Sequence, residues 1–147
     1  MNLDKIEEMW GKDAEKFFDH RDLPELLAND SMETPSLHAK YLQLYNEFKL
    51  MLSDAETKYK KLYKEKWLYY NGKAPARVYA EKPFDLKVLK GDLDMFIDSD
   101  EDVCRAKQKK DYLETCINSI DRILKEIHNR GFAIKNTIEI VKYYGIR

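Results

Sequence analysis

Glycine and proline are scarce in this chain, five and four among 147 residues. Their scarcity excludes collagen-like and low-complexity linker proteins and leaves few points at which a helix must stop. Cysteine is scarcer still. Cys104 and Cys116 are the only two, and one expected helix holds them about 18 Å apart, too far for a bridge within a subunit. They read as reduced thiols, with Cys116 in the core. Long hydrophobic runs are also missing: no window approaches the ~18 apolar residues of a spanning helix. Met1 to Gly11 carries Asp4, Glu7 and Glu8 where a signal peptide needs an apolar run. The expectation is a soluble intracellular protein with no membrane partner.

Catalytic and metal-binding patterns are lacking as well. There is no phosphate-binding glycine loop, nucleophile elbow or triad. His20, His38 and His128 stand without cysteines or carboxylates at ligand spacing. Asp98, Asp100 and Asp102 alternate as in a calcium loop, but Val103 replaces the turn glycine and Lys109 the bidentate glutamate, so these acids read as a helix cap. The reading is of a protein that is not an enzyme, with no metal and no cofactor.

Charge is abundant but not of one sign. Charged residues make up 36% of the chain and sum to -1, with a mean hydropathy of -0.68. That composition suits long two-faced helices that finish burying themselves against other subunits. Lysines gather at 58–73 and 105–110 and acids at 92–102, so a polyanion would meet a patch and not the whole surface.

Apolar residues recur at helical spacing. Leu3, Ile6, Trp10, Phe17 and Phe18 predict a helix over 3–19. After a connection with one possible turn at 23–28, Thr34 is placed to cap and Pro35 to open a helix of roughly 37 residues, ending at Asn71-Gly72. Its stripe is Leu37, Tyr41, Leu44, Phe48, Met51 and Ala55, continuing through Tyr59, Leu62, Lys66 and Tyr69. Residues 73–83 read as a loop, with a hairpin arm as the alternative, and 86–97 as a short helix. Val103, Ala106, Lys110, Leu113, Ile117, Ile120, Leu124 and Ile127 then keep three-four spacing. Gly131 is expected to end that helix, with Phe132, Ile134, Ile138, Val141 and Tyr144 forming a last one. The expected fold class is all-α: a single elongated domain over 1–147 of long helices in a hairpin or coiled-coil-like protomer. Residues 3–72 form its N-terminal helices, 73–98 a connection, and 99–147 a C-terminal oligomerisation segment. Leu113, Ile117, Ile120, Leu124, Ile127, Phe132, Ile134, Ile138 and Val141 are the expected subunit contacts.

The sharpest chemical signal lies at the end of the first long helix. In Lys58 to Lys73, lysines alternate with rings, and the helical step puts Lys60, Lys64 and Trp67 on one ridge with Lys61 beside them. Lysines that neutralise phosphates beside rings that stack on unpaired bases suit single-stranded nucleic acid. A solvated helical face is the plainer alternative. Lys66 interrupts the apolar stripe, a cost unless the seam opens or something anionic meets it. The candidate contacts are Lys58, Lys60, Lys61, Lys64, Lys66, Trp67, Tyr69, Tyr70 and Lys73, and Lys66 is expected to be dispensable for the fold.

Lys64-Glu-Lys66-Trp-Leu-Tyr69-Tyr70-Asn-Gly72 and Arg130-Gly131-Phe132-Ala133-Ile134-Lys135 resemble two marks of the UvsY family, recombination mediators of T4-like phages. The resemblance runs from Leu3 to Gly72 and from Asp102 to Lys135, leaving out the 73–98 connection. It implies binding of single-stranded DNA, displacement of the phage single-strand-binding protein and loading of a RecA-like phage recombinase, in the cytoplasm of an infected bacterium. It places the family's DNA-contacting basic pair on Lys64 and Lys66, where lysine stands at 66 in place of an expected arginine. It also implies self-assembly through C-terminal helices into a ring-like homo-oligomer of about six or seven subunits, which closes a heterologous interface. A helical adaptor that binds only protein partners is the other reading of the same periodicity.

Overall fold

The computed structural model describes residues 1–16 and 23–145, with side chains from residue 28 onward in the second stretch. Phe17, Phe18 and His20, with the expected end of the first helix, lie outside the described residues. Among the described residues five helices follow in order: α1 (Leu3–Glu15), α2 (Leu23–Tyr70), α3 (Ala76–Glu81), α4 (Leu93–Asp98) and α5 (Glu101–Tyr144). The fold is all-α, with no strand among the described residues. No described helix is long and apolar enough to cross a membrane. The chain divides into two compact units, Met1–Lys49 with Thr115–Arg147, and Leu50–Glu114.

The first unit is built on α1. Asn2 caps it by accepting the Lys5 backbone N–H at 2.9 Å, and Asp4 and Lys12 lie at the ends their charges favour. Ile6 is fully buried. Trp10 meets the Tyr41 ring edge-on at 5.6 Å and donates its indole N–H to Glu126 at 3.0 Å. Asp13 accepts from Lys40 at 2.6 Å and from the Tyr41 hydroxyl at 2.9 Å. These contacts satisfy polar groups around a core of Ile6, Tyr41, Leu44, Phe48, Cys116, Ile117, Ile120, Ile123, Ile127 and Ile134.

Two helix boundaries differ from expectation. The turn expected at 23–28 is already helical. Pro35 does not open α2 but sits inside it, and the Thr34 hydroxyl donates back to the Asp30 carbonyl at 2.6 Å instead of capping. A proline ring deprives the carbonyl four residues earlier, Ser31, of its donor. Ser31 and Pro35 are both exposed, so water can replace it. Gly131 does not end α5, which continues unbroken to Tyr144. Positive φ occurs at Gly72 and Gly145, not at Gly131. A helical glycine costs about 1 kcal/mol, and burial of Ile134, seven positions after buried Ile127, shows the apolar stripe carrying on through it.

The second unit buries Leu52 and Ala55 from α2, Leu93 and Ile97 from α4, and Val103 and Leu113 from α5. Leu52 takes the place expected of Met51, which is exposed, because the 3.6-residue repeat drifts off a strict heptad. Tyr59, Leu62, Tyr63, Tyr70 and Val88 cover the Leu93, Ile97 and Val103 cluster. The stretch read as a loop contains α3. The helix expected over 86–97 begins only at Leu93; Leu86 and Leu89 are exposed and supply no buried face to hold an earlier turn. Lys110, the charged break in the α5 stripe, sets its ammonium 4.6 Å from the Tyr59 ring centroid, where a cation is favoured.

Candidate nucleic-acid interface

The lysine-rich segment ends where the sequence demands. Gly72 takes φ 73°, the Lys73 N–H bonds the Leu68 carbonyl at 2.8 Å and the Gly72 N–H bonds that of Tyr69 at 3.3 Å. This paired closure needs a left-handed residue, hence glycine. The chain then enters α3 behind Pro75, and the Tyr79 hydroxyl returns to the same helix end. It donates to the Tyr69 carbonyl at 2.7 Å and accepts from the Ala74 N–H at 3.2 Å. α3 is thereby fixed beside the last turn of α2.

Along the turns of α2 that lead to this end, the lysine ridge faces outward. Lys60, Lys61 and Lys64 are exposed and form no salt bridge among the described residues. Trp67 retains 36% of its surface, and the Lys73 ammonium stands 5.3 Å from its ring centroid. Lys58 pairs with Asp54 at 2.9 Å, an exposed i,i+4 contact of little energy.

Three candidates on this segment are engaged within the protein instead. Lys66 lies 3.0 Å from Asp102 Oδ2 and 3.3 Å from Asp100 Oδ2, with only 15% of its side chain exposed. The anionic partner required by its place in the apolar stripe is internal, so dispensability for the fold is not what the geometry supports. Burial alone would lower its pKa; the hydrogen bond to Asp102 and the charge of Asp100 outweigh that and hold the ammonium above the ordinary lysine value. Asp100 is likewise pushed up by burial, yet lies below the ordinary carboxylate value because Tyr70, the Val103 N–H and Lys66 stabilise its charge. Its Oδ1 accepts the Asp102 and Val103 N–H groups at 2.9 and 3.3 Å, so of the three acids read as a helix cap it is Asp100 that caps α5.

Tyr69 and Tyr70 are tied in as well. The Tyr69 hydroxyl donates to the Lys82 carbonyl at 3.0 Å, and its ring stacks on Tyr79 at 5.4 Å. The Tyr70 ring packs edge-on against Phe84 at 5.1 Å.

Two cations were missed by sequence reasoning. Arg77 and Lys82, exposed at either end of α3, line a cleft with Lys66, Leu68, Tyr69 and Val78. Their signal was the recurrence of basic residues past the Gly72 breaker, hidden because the segment carries no clear period.

The expected subunit contacts also divide. Leu113, Ile117, Ile120, Ile127 and Ile134 are buried in the protomer itself, while Leu124, Ile138 and Val141 are half-buried. Phe132 is exposed, as are Ile140, Tyr143 and Tyr144 beyond it. No group of acids, histidines and cysteines that could hold a metal occurs among the described residues.

The sequence profile of a family described as "Recombination, repair and ssDNA binding protein UvsY" matches residues 9–145. Two crystal structures of the bacteriophage T4 recombination mediator protein UvsY share the fold. The lattice type II form gives a TM-score of 0.80 at 24% identity over 99% of this chain and 98% of that one. The lattice type IV form gives 0.81 at 21% identity over 97% and 99%. No curated protein sequence matches the chain. Since the profile spans nearly the whole sequence, the chain belongs to the UvsY family of recombination, repair and single-stranded-DNA-binding proteins.

Proposed function

We propose that this protein binds single-stranded DNA along the exposed ridge of α2 and acts, without catalysis, as a mediator. In this role it loads a RecA-like phage recombinase onto DNA covered by single-strand-binding protein, in the cytoplasm of an infected host. The observation that carries the reading is the set of lysines at 60, 61 and 64 without salt bridges, beside a partly exposed indole, in a chain of this family. Phosphates would take the lysines, and an unpaired base the Trp67 ring. Lys66 contributes by holding the segment in place through Asp100 and Asp102, and Tyr69 and Tyr70 by packing it.

Self-association belongs to the exposed end of α5, at Phe132, Ile140, Tyr143 and Tyr144. A ring of about six or seven copies would present as many ridges to one strand, so weak sites would combine through effective concentration.

The test is fluorescence anisotropy with labelled single- and double-stranded oligonucleotides across salt, on the parent and on a Lys60→Ala/Lys64→Ala variant. The variant should bind single strands more weakly, with a salt slope lower by about 0.7 for each lost contact. Equal affinity and equal slope would move the DNA site off this ridge, and a parent that binds neither strand would leave the protein-only adaptor in place of this reading.

A further inference from the structure

Between the last turns of α2 and α3 lies a cleft of about 370 Å³, within the ~300–1,000 Å³ range of small-ligand sites. Leu68, Tyr69, Pro75 and Val78 give it apolar walls, and Glu65, Arg77 and Lys82 bring charge to it. Lys66 also lines it, with its ammonium paired to Asp100 and Asp102. Arg77 and Lys82 are exposed and form no salt bridge among the described residues. An apolar slot beside two cations matches a nucleotide: a flat base inside, phosphates outside. Glu65 repels phosphate, which leaves Arg77 and Lys82 to hold it. The cleft is continuous with the ridge, because Leu68 stands one helical turn after Lys64.

We propose that this cleft seats one unpaired base of single-stranded DNA, with Arg77 and Lys82 holding the adjoining phosphates. The proposal rests on the DNA-binding reading above and extends the site from α2 onto α3. Arg77 supplies a planar fork suited to phosphate oxygens. Lys82 is fixed at its backbone by the Tyr69 hydroxyl, so its side chain starts from a set position.

The test uses anisotropy with labelled oligo(dT) and an abasic oligonucleotide of equal length, on the parent, on Arg77→Ala/Lys82→Ala and on Ala74→Leu, which fills the cleft. Circular dichroism serves as the fold control. The parent should prefer oligo(dT) by about fivefold or more, the lower end expected for one stacked base. Arg77→Ala/Lys82→Ala should lower the salt slope by about 1.4, two contacts at about 0.7 each. Ala74→Leu should lose the cleft's share of the preference for bases, keeping the share owed to Trp67, with the slope unchanged. A parent that binds DNA while the double variant matches it in affinity and slope overturns the proposal and leaves the ridge reading intact. An Ala74→Leu variant with the parent's full preference rejects the base seat and leaves a phosphate site beside the Trp67 stack, whereas equal binding of the abasic strand by the parent rejects both base contacts. A parent that binds neither strand removes the DNA-binding reading and this proposal with it.

Discussion

The Tyr70 hydroxyl donates to Asp100 Oδ2 across 2.6 Å, and the same oxygen faces the Lys66 ammonium at 3.3 Å. One carboxylate thus caps α5 with one oxygen and anchors the end of α2 with the other. Lys66→Ala would leave Asp100 partly buried and short of a cation. The expected cost is about 1–3 kcal/mol, or a Tm lower by about 2–4 °C per kcal/mol. Urea unfolding measures it, and a variant as stable as the parent would show that the pair contributes nothing net.

The same cluster sets a pH dependence. Asp100 is depressed in the folded protein, so its stabilisation is present above its ordinary value of 3.8 and is lost as pH falls through the lower folded value. Lys66 is raised, so its share is present below 10.5 and is lost as pH rises through the higher folded value. The stability gap between the parent and Asp100→Asn should therefore be widest between these limits and narrow at acid pH. A gap independent of pH across the acid arm would contradict this assignment.

Trp67 keeps part of its surface, whereas Trp10 is held by Tyr41 and Glu126. In a Trp10→Phe background, emission from Trp67 should change when a single-stranded oligonucleotide binds. If binding is seen by anisotropy and the emission stays constant, the indole is not part of the DNA site.

Residues of α5 should separate into two classes by burial. Ile127→Ala removes a side chain that is 1% exposed and should cost about 2–5 kcal/mol of folding stability. Ile140→Ser/Tyr143→Ser alters exposed residues and should reduce particle mass by light scattering while leaving the helical signal unchanged. An undiminished mass would move the subunit interface away from this end of the chain.

Much of this was legible in the sequence. Three-four spacing put Tyr41 and Phe48 on the buried stripe of α2, and Asn71-Gly72 marked its end, because both signals are local and repeat or stop a helix outright. The same spacing picked out Ile117, Ile120 and Ile127 as apolar, but they were expected to meet another subunit and are buried within the protomer, since periodicity does not say which surface covers a stripe. Pro35 and Gly131 misled, since each breaks a helix only by local propensity, and packing elsewhere along the same helix outweighs a cost of one or a few kcal/mol. Within the candidate site, Lys60 and Lys64 followed from angular position alone. The engagement of Lys66 did not: its partners stand more than thirty residues away, and a carboxylate that caps one helix gives no sign that its second oxygen serves another.

The doubly claimed Tyr69 carbonyl at the end of α2 bears on how the proposed binding is driven. Helix ends ordinarily fray, and a ligand that needs them ordered must supply that entropy itself. Here the Tyr69 carbonyl receives the Gly72 N–H and the Tyr79 hydroxyl, and the Leu68 carbonyl receives the Lys73 N–H. The backbone beneath Lys64, Trp67 and the cleft is preorganised, and its ordering cost is met on folding. Loosening that turn by Tyr79→Phe should weaken binding of a labelled single-stranded oligonucleotide in anisotropy without touching any group of the proposed DNA site.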